Sequence, residues 1–538
     1  MRRLPIGIQS FRQIIEGGYV YVDKTAYIHA LTADDGKIFF LSRPRRFGKS
    51  LFLNTLQEAF SGSRELFQGL HLERSGFDFT AHPVIHLDFS GSSIADPERL
   101  RMTMMDQLTE AASSGGVDLK SAEPSIAFRN LIRDLCRKHG RSVVVLVDEY
   151  DKPITEHLTN PAIAEANRRE LRDFYGVLKG AARDLRLGFL TGVSKFSRMS
   201  IFSQLNNLRD ITMREPYANI CGITETELDE NFAEHLAAFY QSWNDRKYPA
   251  DVDRLRDLIF TWYDGYSWDG ATRVFNPFSL LSFLADQEFY PYWFVTGIPQ
   301  FLMQHLKAHP LDYAEIQGQE ITEFFLDSYE IEKAPALSML FQTGFLTVDS
   351  VIAGIPRSYR LRFPNVEVSQ SFSRQFLATV APERAVSLET LAARVQSALD
   401  QGRPEDLGDT LTGLFATVPY NLHDGAGEAL YHAAFLLVMQ FMGLQVIGEV
   451  AVAGGEIDAT IDRPNGQSYV IEFKYGAGDD DADRLLEKTA DKALAQIDRK
   501  RYADKYRGTN RTVHKVGVAV VGRGRVLVKA NPVAPARE

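Results

Sequence analysis

Arg43-Pro44-Arg45-Arg46-Phe47-Gly48-Lys49-Ser50 lies between a short apolar run, Lys37 to Ser42, and a stretch with helical spacing, Ser50 to Phe60. A nucleotide polyphosphate is held by inward backbone N–H groups, a helix N-terminus, a lysine on the β/γ oxygens and a hydroxyl on Mg²⁺. Gly48, Lys49 and Ser50 meet those needs in order. Arg43 stands where GxxxxGK[ST] has its first glycine, so the match is incomplete, and a basic loop that only caps a helix reads the same way. A second segment shifts the balance. Val143 to Val147 is a continuous apolar strand that ends in Asp148 and Glu149. At the C-terminal edge of a parallel sheet, Asp148 can hold Mg²⁺ through water while Glu149 activates the attacking water. Asp151 is a third acid or a loop charge. The strand Gly188 to Thr191 leads into Gly192-Val193-Ser194-Lys195, and Thr191 or Ser194 can report on the γ-phosphate. Arg198 and Arg209 follow, as sources of positive charge for phosphoryl transfer or as solvated surface arginines.

A second set of residues lies near the C-terminus. Asp458 falls in a strand-like run, Glu456 to Ile461, and Glu472-Phe473-Lys474 in the next, Ser468 to Lys474. Alternation puts Glu472 and Lys474 on one face. A hairpin through Arg463-Pro464-Asn465-Gly466 can bring Asp458 alongside them. Two carboxylates can bind a divalent metal and an adjacent lysine can orient or deprotonate a water, a combination suited to phosphodiester hydrolysis. Glu428, on the preceding helix, can complete the set, and Gln496, on the following helix, can point at the same water. The plain alternative is a salt-bridged outer face, because D…ExK is a loose pattern.

The elements that must position these groups change character along the 538 residues. Up to about residue 285, continuous apolar strands alternate with helical patterns, which predicts a parallel sheet covered on both faces. Residues 286–411 read as a mostly helical linking region, interrupted by Phe341 to Thr347 and by Tyr359 to Phe363. Residues 412–538 read as helix, three strands, helix and closing strands. The expected domains are therefore 1–285, 286–411 and 412–538. Composition agrees with globular domains: 45% apolar, 24% charged and 11% aromatic residues, which excludes disordered and fibrous classes. No fixed-period repeat is present, which excludes solenoids and propellers. Sixty basic against seventy acidic residues give a net charge of −10, so nucleic-acid contact needs a local groove rather than a basic surface. Two cysteines, Cys136 and Cys221, argue against a disulfide framework or structural zinc and for a reducing compartment. No apolar stretch is long enough to span a bilayer, and Met1-Arg2-Arg3 is not followed by a signal-peptide core. A soluble, cytoplasmic protein is expected.

With both sites in view, the chain resembles the AAA-ATPase-like proteins that carry a C-terminal PD-(D/E)XK nuclease-superfamily domain. The likeness runs through Tyr21-Val22-Asp23-Lys24-Thr25, Leu41 to Ser50, Val147 to Pro153, Thr191 to Ser197, Tyr263-Asp264-Gly265-Tyr266, Asn276 to Ser279 and Gln342 to Thr347. It continues in Glu428 to His432, Gly455 to Asp458, Glu472 to Lys474 and Gln496-Ile497. In that family an arginine at position 43 is usual. The resemblance implies a P-loop NTPase domain, a helical middle region and a restriction-endonuclease-like α/β domain. It implies ATP and Mg²⁺ (or Mn²⁺) as cofactors, with Arg43, Pro44, Arg45, Arg46, Phe47, Gly48, Lys49, Ser50, Asp148, Glu149, Thr191 and Ser194 around the nucleotide. It places Glu428, Asp458, Glu472, Lys474 and Gln496 at a nuclease site, with Asp458 and Glu472 on its metal. One departure is Glu456, where the family often has a basic residue, which removes a phosphate contact. The expected activity is an ATPase that controls a nuclease acting on DNA or RNA, in a monomer or a homo-oligomer, in a setting such as genome defence. The rival is a nucleotide-switched scaffold whose C-terminal domain binds without cutting.

Overall fold

A computed structural model describes the chain apart from residues 92–93, 159, 194–200, 203–204, 246–251, 296–301, 303–319, 324, 326–334, 381–384, 416–434, 436–438, 440–445, 453–454, 464, 477–480, 508, 510, 523 and 534–538. The described residues form two compact units. The first comprises residues 1–252, 263–297 and 320–364, and the second 253–262, 298–319 and 365–538. The stretch read as a linking region is thus divided between them: 320–364 clusters with the first and 365–411 with the second.

The first unit is built on β1 (Ile38–Ser42), β2 (Val84–Asp88), β3 (Val143–Asp148), β4 (Leu185–Gly192) and β5 (Leu208–Asp210), in the order β2-β3-β4-β1-β5. Every neighbouring pair is parallel, as the unbroken apolar runs predict. All residues of β1 and β3 are buried. Helices α1 (Lys49–Phe60), α2 (Pro97–Ser114), α3 (Pro124–His139) and α4 (Pro161–Gly180) belong to the crossovers. Phe128 of α3 and Phe174 of α4 stack at 4.7 Å inside the core that covers one face of the sheet. β4 separates β1 from β3, with Leu41 opposite Thr191 and Val147 opposite Leu190. The strand that ends in Thr191 therefore stands between the strands that lead to Lys49 and to Asp148.

Beyond β5 come α5 (Glu225–Asp245), α6 (Pro277–Asp286), β6 (Glu320–Thr322), α7 (Ala336–Thr343), β7 (Thr347–Ile352) and β8 (Ser358–Arg362). Phe341 to Thr347, read as a break in the helical pattern, divides differently: residues 341–343 close α7, Gly344 caps it at φ 90°, and the strand starts at Thr347. Apolar residues on both sides of the capping glycine hide the boundary. A side chain at Gly344 would lie 2.6 Å from the Pro44 ring, so glycine also permits a close approach to the phosphate loop.

From residue 365 onward the second unit holds α8 (Val366–Val380), α9 (Ala385–Asp400) and α10 (Leu407–Phe415) and is centred on β9 (Val446–Val452), β10 (Gly455–Asp462), β11 (Gln467–Gly476), β12 (Thr512–Val521) and β13 (Arg525–Val533). The sheet order is β13-β12-β11-β10-β9, with only the β11–β12 pair parallel. Helix α11 (Ala482–Lys500) makes that parallel crossover. Its apolar stripe, Leu486, Ala490, Ala493, Leu494 and Ile497, has the spacing of one buried helix face. The helix lies very close to the sheet, since a side chain at Gly517 would meet the Ala490 carbonyl at 2.7 Å. Among the described residues, no helix is long and apolar enough to cross a membrane.

Candidate functional site

The loop after β1 alternates between inward anchors and outward groups. Arg43, Pro44 and Phe47 are buried, while Arg45 and Arg46 are exposed. Arg46 takes φ 66° and Gly48 φ 90° before α1 begins at Lys49. The Lys49 ammonium turns back onto the loop, donating to the carbonyls of Arg43 (3.0 Å) and Pro44 (3.1 Å). A cavity of about 470 Å³ is lined by Arg45 to Ser50 on one side and by Glu149, Lys152 and Ser90 on another. Lys49 and Glu149, far apart in sequence, thus share one space of a size suited to a small ligand.

Asp148 and Glu149 are fixed by local geometry. Asp148 Oδ1 accepts the Thr191 hydroxyl at 2.7 Å and the Glu149 N–H at 3.0 Å. Glu149 then takes φ 50°, a left-handed conformation unusual for a residue with a side chain, at the point where the strand ends beside the cavity. Burial raises the Glu149 pKa above the ordinary carboxylate range; Asp151 and Asp148 add to the rise, and Lys49 and Arg45 oppose it. Asp151 is itself buried, and its Oδ1 accepts the Val193 N–H at 3.3 Å, which ties the end of β3 to the end of β4.

Several residues named from the sequence do not line this cavity. Arg43 is not a phosphate-facing side chain. Its guanidinium is buried, donates to the carbonyls of Ser42, Thr212, Tyr217 and Ala218, and lies 3.8 Å from the Trp268 ring centre. Burial lowers its pKa to about 10. Pro44 likewise faces away from the cavity, and its neighbour across space is Gly344. Arg209 lies on β5 opposite Phe39, in the half of the sheet away from the loop, and pairs with Asp34. It is therefore no source of charge for the phosphate site. Thr191 is buried, donates its hydroxyl to Asp148 and does not line the cavity. Ser194, Arg198 and Glu428 lie outside the described residues.

In the second unit, the β10–β11 ladder stops at Ala459–Ile471. One step further, where Asp458 stands opposite Glu472, the Asp458 carboxylate accepts the Phe473 N–H at 2.7 Å. Asp458 thus fills the gap where the two strands part. Glu472 is fully buried and its Oε1 lies 2.9 Å from the Lys474 ammonium. Gln496 is half-buried on α11, which packs over β11 and β12. Glu472 and Lys474 thus pair on one face of β11, and the Asp458 carboxylate reaches the backbone of Phe473 between them. Among the described residues no group of three or more His, Cys, Asp and Glu side chains is placed to hold a metal. The donor set is two carboxylates, which fits Mg²⁺, a cation that keeps several waters and takes one or two carboxylates.

A family model described as "Predicted AAA-ATPase" matches residues 5–202, which hold the phosphate loop, Asp148, Glu149 and Thr191. One described as "PD-(D/E)XK nuclease superfamily" matches residues 426–530, which hold Asp458, Glu472, Lys474 and Gln496. The "Uncharacterized protein in vnfD 5'region" of Azotobacter chroococcum mcd 1 is 38% identical over 535 residues, 98% of this chain and 98% of that protein. The chain belongs to the AAA-ATPase-like family and carries a C-terminal PD-(D/E)XK nuclease-superfamily domain.

For this AAA-ATPase-like protein, several residues that support the loop were not singled out as site residues. Phe47 packs edge-on against Tyr266 (4.8 Å) and Trp268 (5.4 Å). The Tyr266 hydroxyl donates to the Gly344 carbonyl at 3.0 Å. Arg46 lies 4.9 Å from the Phe278 ring centre. Tyr266 and Phe278 do fall in the family segments Tyr263 to Tyr266 and Asn276 to Ser279, which was the available signal. Ser50 and Glu149 bring oxygen atoms of the kind Mg²⁺ takes to the cavity wall, while Asp148, next in the chain to Glu149, is buried and bonded to the Thr191 hydroxyl.

Proposed function

We propose that this protein binds and hydrolyses ATP at the phosphate loop and that nucleotide state controls a Mg²⁺-dependent phosphodiester-cleaving site in its C-terminal domain. In this reading residues 1–285 are the NTPase domain, 286–411 a linking region and 412–538 the nuclease domain. The supporting observation is the shared cavity of Lys49, Ser50 and Glu149. Lys49 exchanges the loop carbonyls for β/γ-phosphate oxygens, and the loop N–H groups and the start of α1 receive the remaining charge. Ser50 and Asp148 hold the metal, with Thr191 keeping Asp148 in orientation. Glu149, its proton affinity raised, takes the proton of the attacking water. A bound Mg²⁺ supplies charge neutralisation on the phosphates.

In the C-terminal domain, Asp458 and Glu472 would hold a divalent ion, whose chemistry when bound would be to lower the pKa of a water and to offset charge on the phosphodiester. Lys474 and Gln496 orient that water, and Glu428 completes the set. The partner is DNA or RNA, and a genome-defence role in the cytoplasm suits the pairing of the two activities. An ATPase assay with Lys49→Ala and a Mg²⁺-dependent cleavage assay with Asp458→Ala test the two halves separately. Loss of ATP turnover in the first and of cutting in the second is expected. Unchanged ATP turnover in Lys49→Ala rejects the phosphate site, and cutting that survives Asp458→Ala rejects the nuclease site.

A further inference from the structure

The turn after β3 sends two side chains to the phosphate-loop cavity. Asp148, Tyr150, Asp151, Pro153 and Ile154 are buried, and of residues 148–154 Glu149 and Lys152 alone line that space. We propose that Lys152 is a catalytic residue of the same site, its ammonium contacting the γ-phosphoryl group of ATP as it is transferred. The assignment rests on the reading of Gly48, Lys49 and Ser50 as a phosphate site, and adds to it a cation from beyond the loop.

Backbone geometry fixes Lys152 beside Glu149. The Glu149 carbonyl accepts the Lys152 N–H at 3.0 Å, closing a tight turn that starts from the left-handed Glu149. The turn is tied to its surroundings on both sides: the Tyr150 N–H donates to the Thr191 carbonyl at 3.0 Å, and the Asn167 amide donates to the Pro153 carbonyl at 2.7 Å. Three other cations line the cavity, Arg45, Arg46 and Lys49, and all three come from the loop. Lys152 reaches it instead from the end of β3, the end that carries Glu149. Its partners hold it loosely. The ammonium donates to the neutral Ser90 carbonyl and lies 3.5 Å from the exposed Glu156 carboxylate. An exposed ion pair of that length is weak, so a phosphate oxygen can take its place. In hydrolysis the water oxygen bonds to the γ-phosphorus while the bond from phosphorus to the β–γ bridging oxygen breaks. Glu149 takes the water's proton, and the electron pair of the broken bond leaves on ADP. Negative charge spreads over the γ-phosphoryl oxygens on the way, and a cation already in position there lowers the barrier. Lys152 keeps its proton throughout and supplies that charge.

Steady-state ATP hydrolysis and calorimetry on the full chain test this with Lys152→Ala, Lys152→Gln, Lys152→Arg and Lys49→Ala. Lys152→Gln keeps a donor for the Ser90 carbonyl and loses the charge, whereas Lys152→Arg keeps the charge. Lys152→Ala and Lys152→Gln are each expected to lower kcat on the order of 100-fold and to leave ATP affinity within about threefold of wild type. Lys152→Arg is expected to recover part of the rate. ADP with aluminium fluoride, a mimic of the phosphoryl group in transfer, is expected to bind wild type more tightly than ADP alone and both uncharged variants no more tightly. A kcat within about twofold of wild type in Lys152→Ala overturns the assignment while the phosphate site stands. Full recovery in Lys152→Gln also overturns it, because that marks a tie to Ser90 rather than a charge. So does a fall in ATP affinity that accounts for the whole loss of kcat/KM. Unchanged turnover in Lys49→Ala overturns the phosphate site and the Lys152 assignment with it. If Lys152→Ala does not fold, the contrast between Lys152→Gln and Lys152→Arg decides: equal rates overturn the proposal, and a faster Lys152→Arg upholds it.

Discussion

Glu149 combines a left-handed backbone with a carboxyl whose proton affinity is raised by burial. A base with a raised pKa loses its proton later, so ATP turnover is expected to climb with pH above the usual carboxylate range. Glu149→Gln removes that limb and slows hydrolysis on the order of 100-fold while ATP binding persists. A steady-state pH profile beside calorimetry checks both. Asp458 supports a different experiment, because Asp458→Asn keeps an oxygen for the Phe473 N–H but removes a charge beside the buried Glu472 carboxylate. Like charges that close repel unless a cation joins them. Cleavage is expected to vanish while the metal-free melting temperature holds or rises. Mg²⁺ or Mn²⁺ is expected to stabilise wild type and not the variant. A destabilised, metal-insensitive variant instead marks a structural salt-bridge cluster.

The phosphate loop is held from beneath by its own arginine and phenylalanine. Arg43 joins the end of β1 to the 212–218 segment by donating to the Thr212 and Tyr217 carbonyls, and Phe47 packs against Tyr266 and Trp268. Arg43→Gly restores the glycine of the general phosphate-loop pattern yet strands those buried carbonyls. It is expected to cost about 3 kcal/mol or more in urea unfolding; no loss of stability contradicts the anchor. Asp264, in the segment that carries Tyr266, is pushed up to about 6 by burial, with the Gly265 N–H, Arg273 and Arg362 pulling the other way. Its folded pKa exceeds its unfolded value of 3.8, so the folded state binds the extra proton between pH 3.8 and about 6 and loses stability as pH rises through that window. Asp264→Asn is therefore expected to be more stable than wild type at pH 7, by on the order of 1–3 kcal/mol, with the difference fading below pH 4. Thermal unfolding across pH reads this directly. The sheet of the first unit and the hairpin through residues 463–466 were legible in the sequence because each rests on local pattern: unbroken apolar runs for β1 and β3, and for β11 an apolar run that alternates only from Ile471 to Lys474. The seat of Arg43 was not legible, because its partners lie some 170 to 225 positions away and an arginine beside a Gly-Lys-Ser reads as a phosphate ligand. The end of α7 was misread for the opposite reason: Phe341, Phe345 and Leu346 are all buried and blur a boundary that only the turn at Gly344 marks.

At the scale of the whole molecule, one chain carries an AAA-ATPase-like domain and a PD-(D/E)XK nuclease-superfamily domain, each with its own five-stranded sheet. An unregulated cutter endangers its host, and under the proposed function the nucleotide site is its regulator. Nuclease rate is therefore expected to depend on nucleotide state. The most direct measurement is the Mg²⁺-dependent cutting rate of wild type, Lys49→Ala and Asp458→Ala on single- and double-stranded DNA and RNA, each without nucleotide, with ADP and with ATP. The account expects wild-type cutting to change severalfold between ADP and ATP, Lys49→Ala to cut at one rate in all three conditions, and Asp458→Ala not to cut while still hydrolysing ATP. Cutting by wild type at equal rates in all three conditions, or no cutting of any substrate, contradicts it.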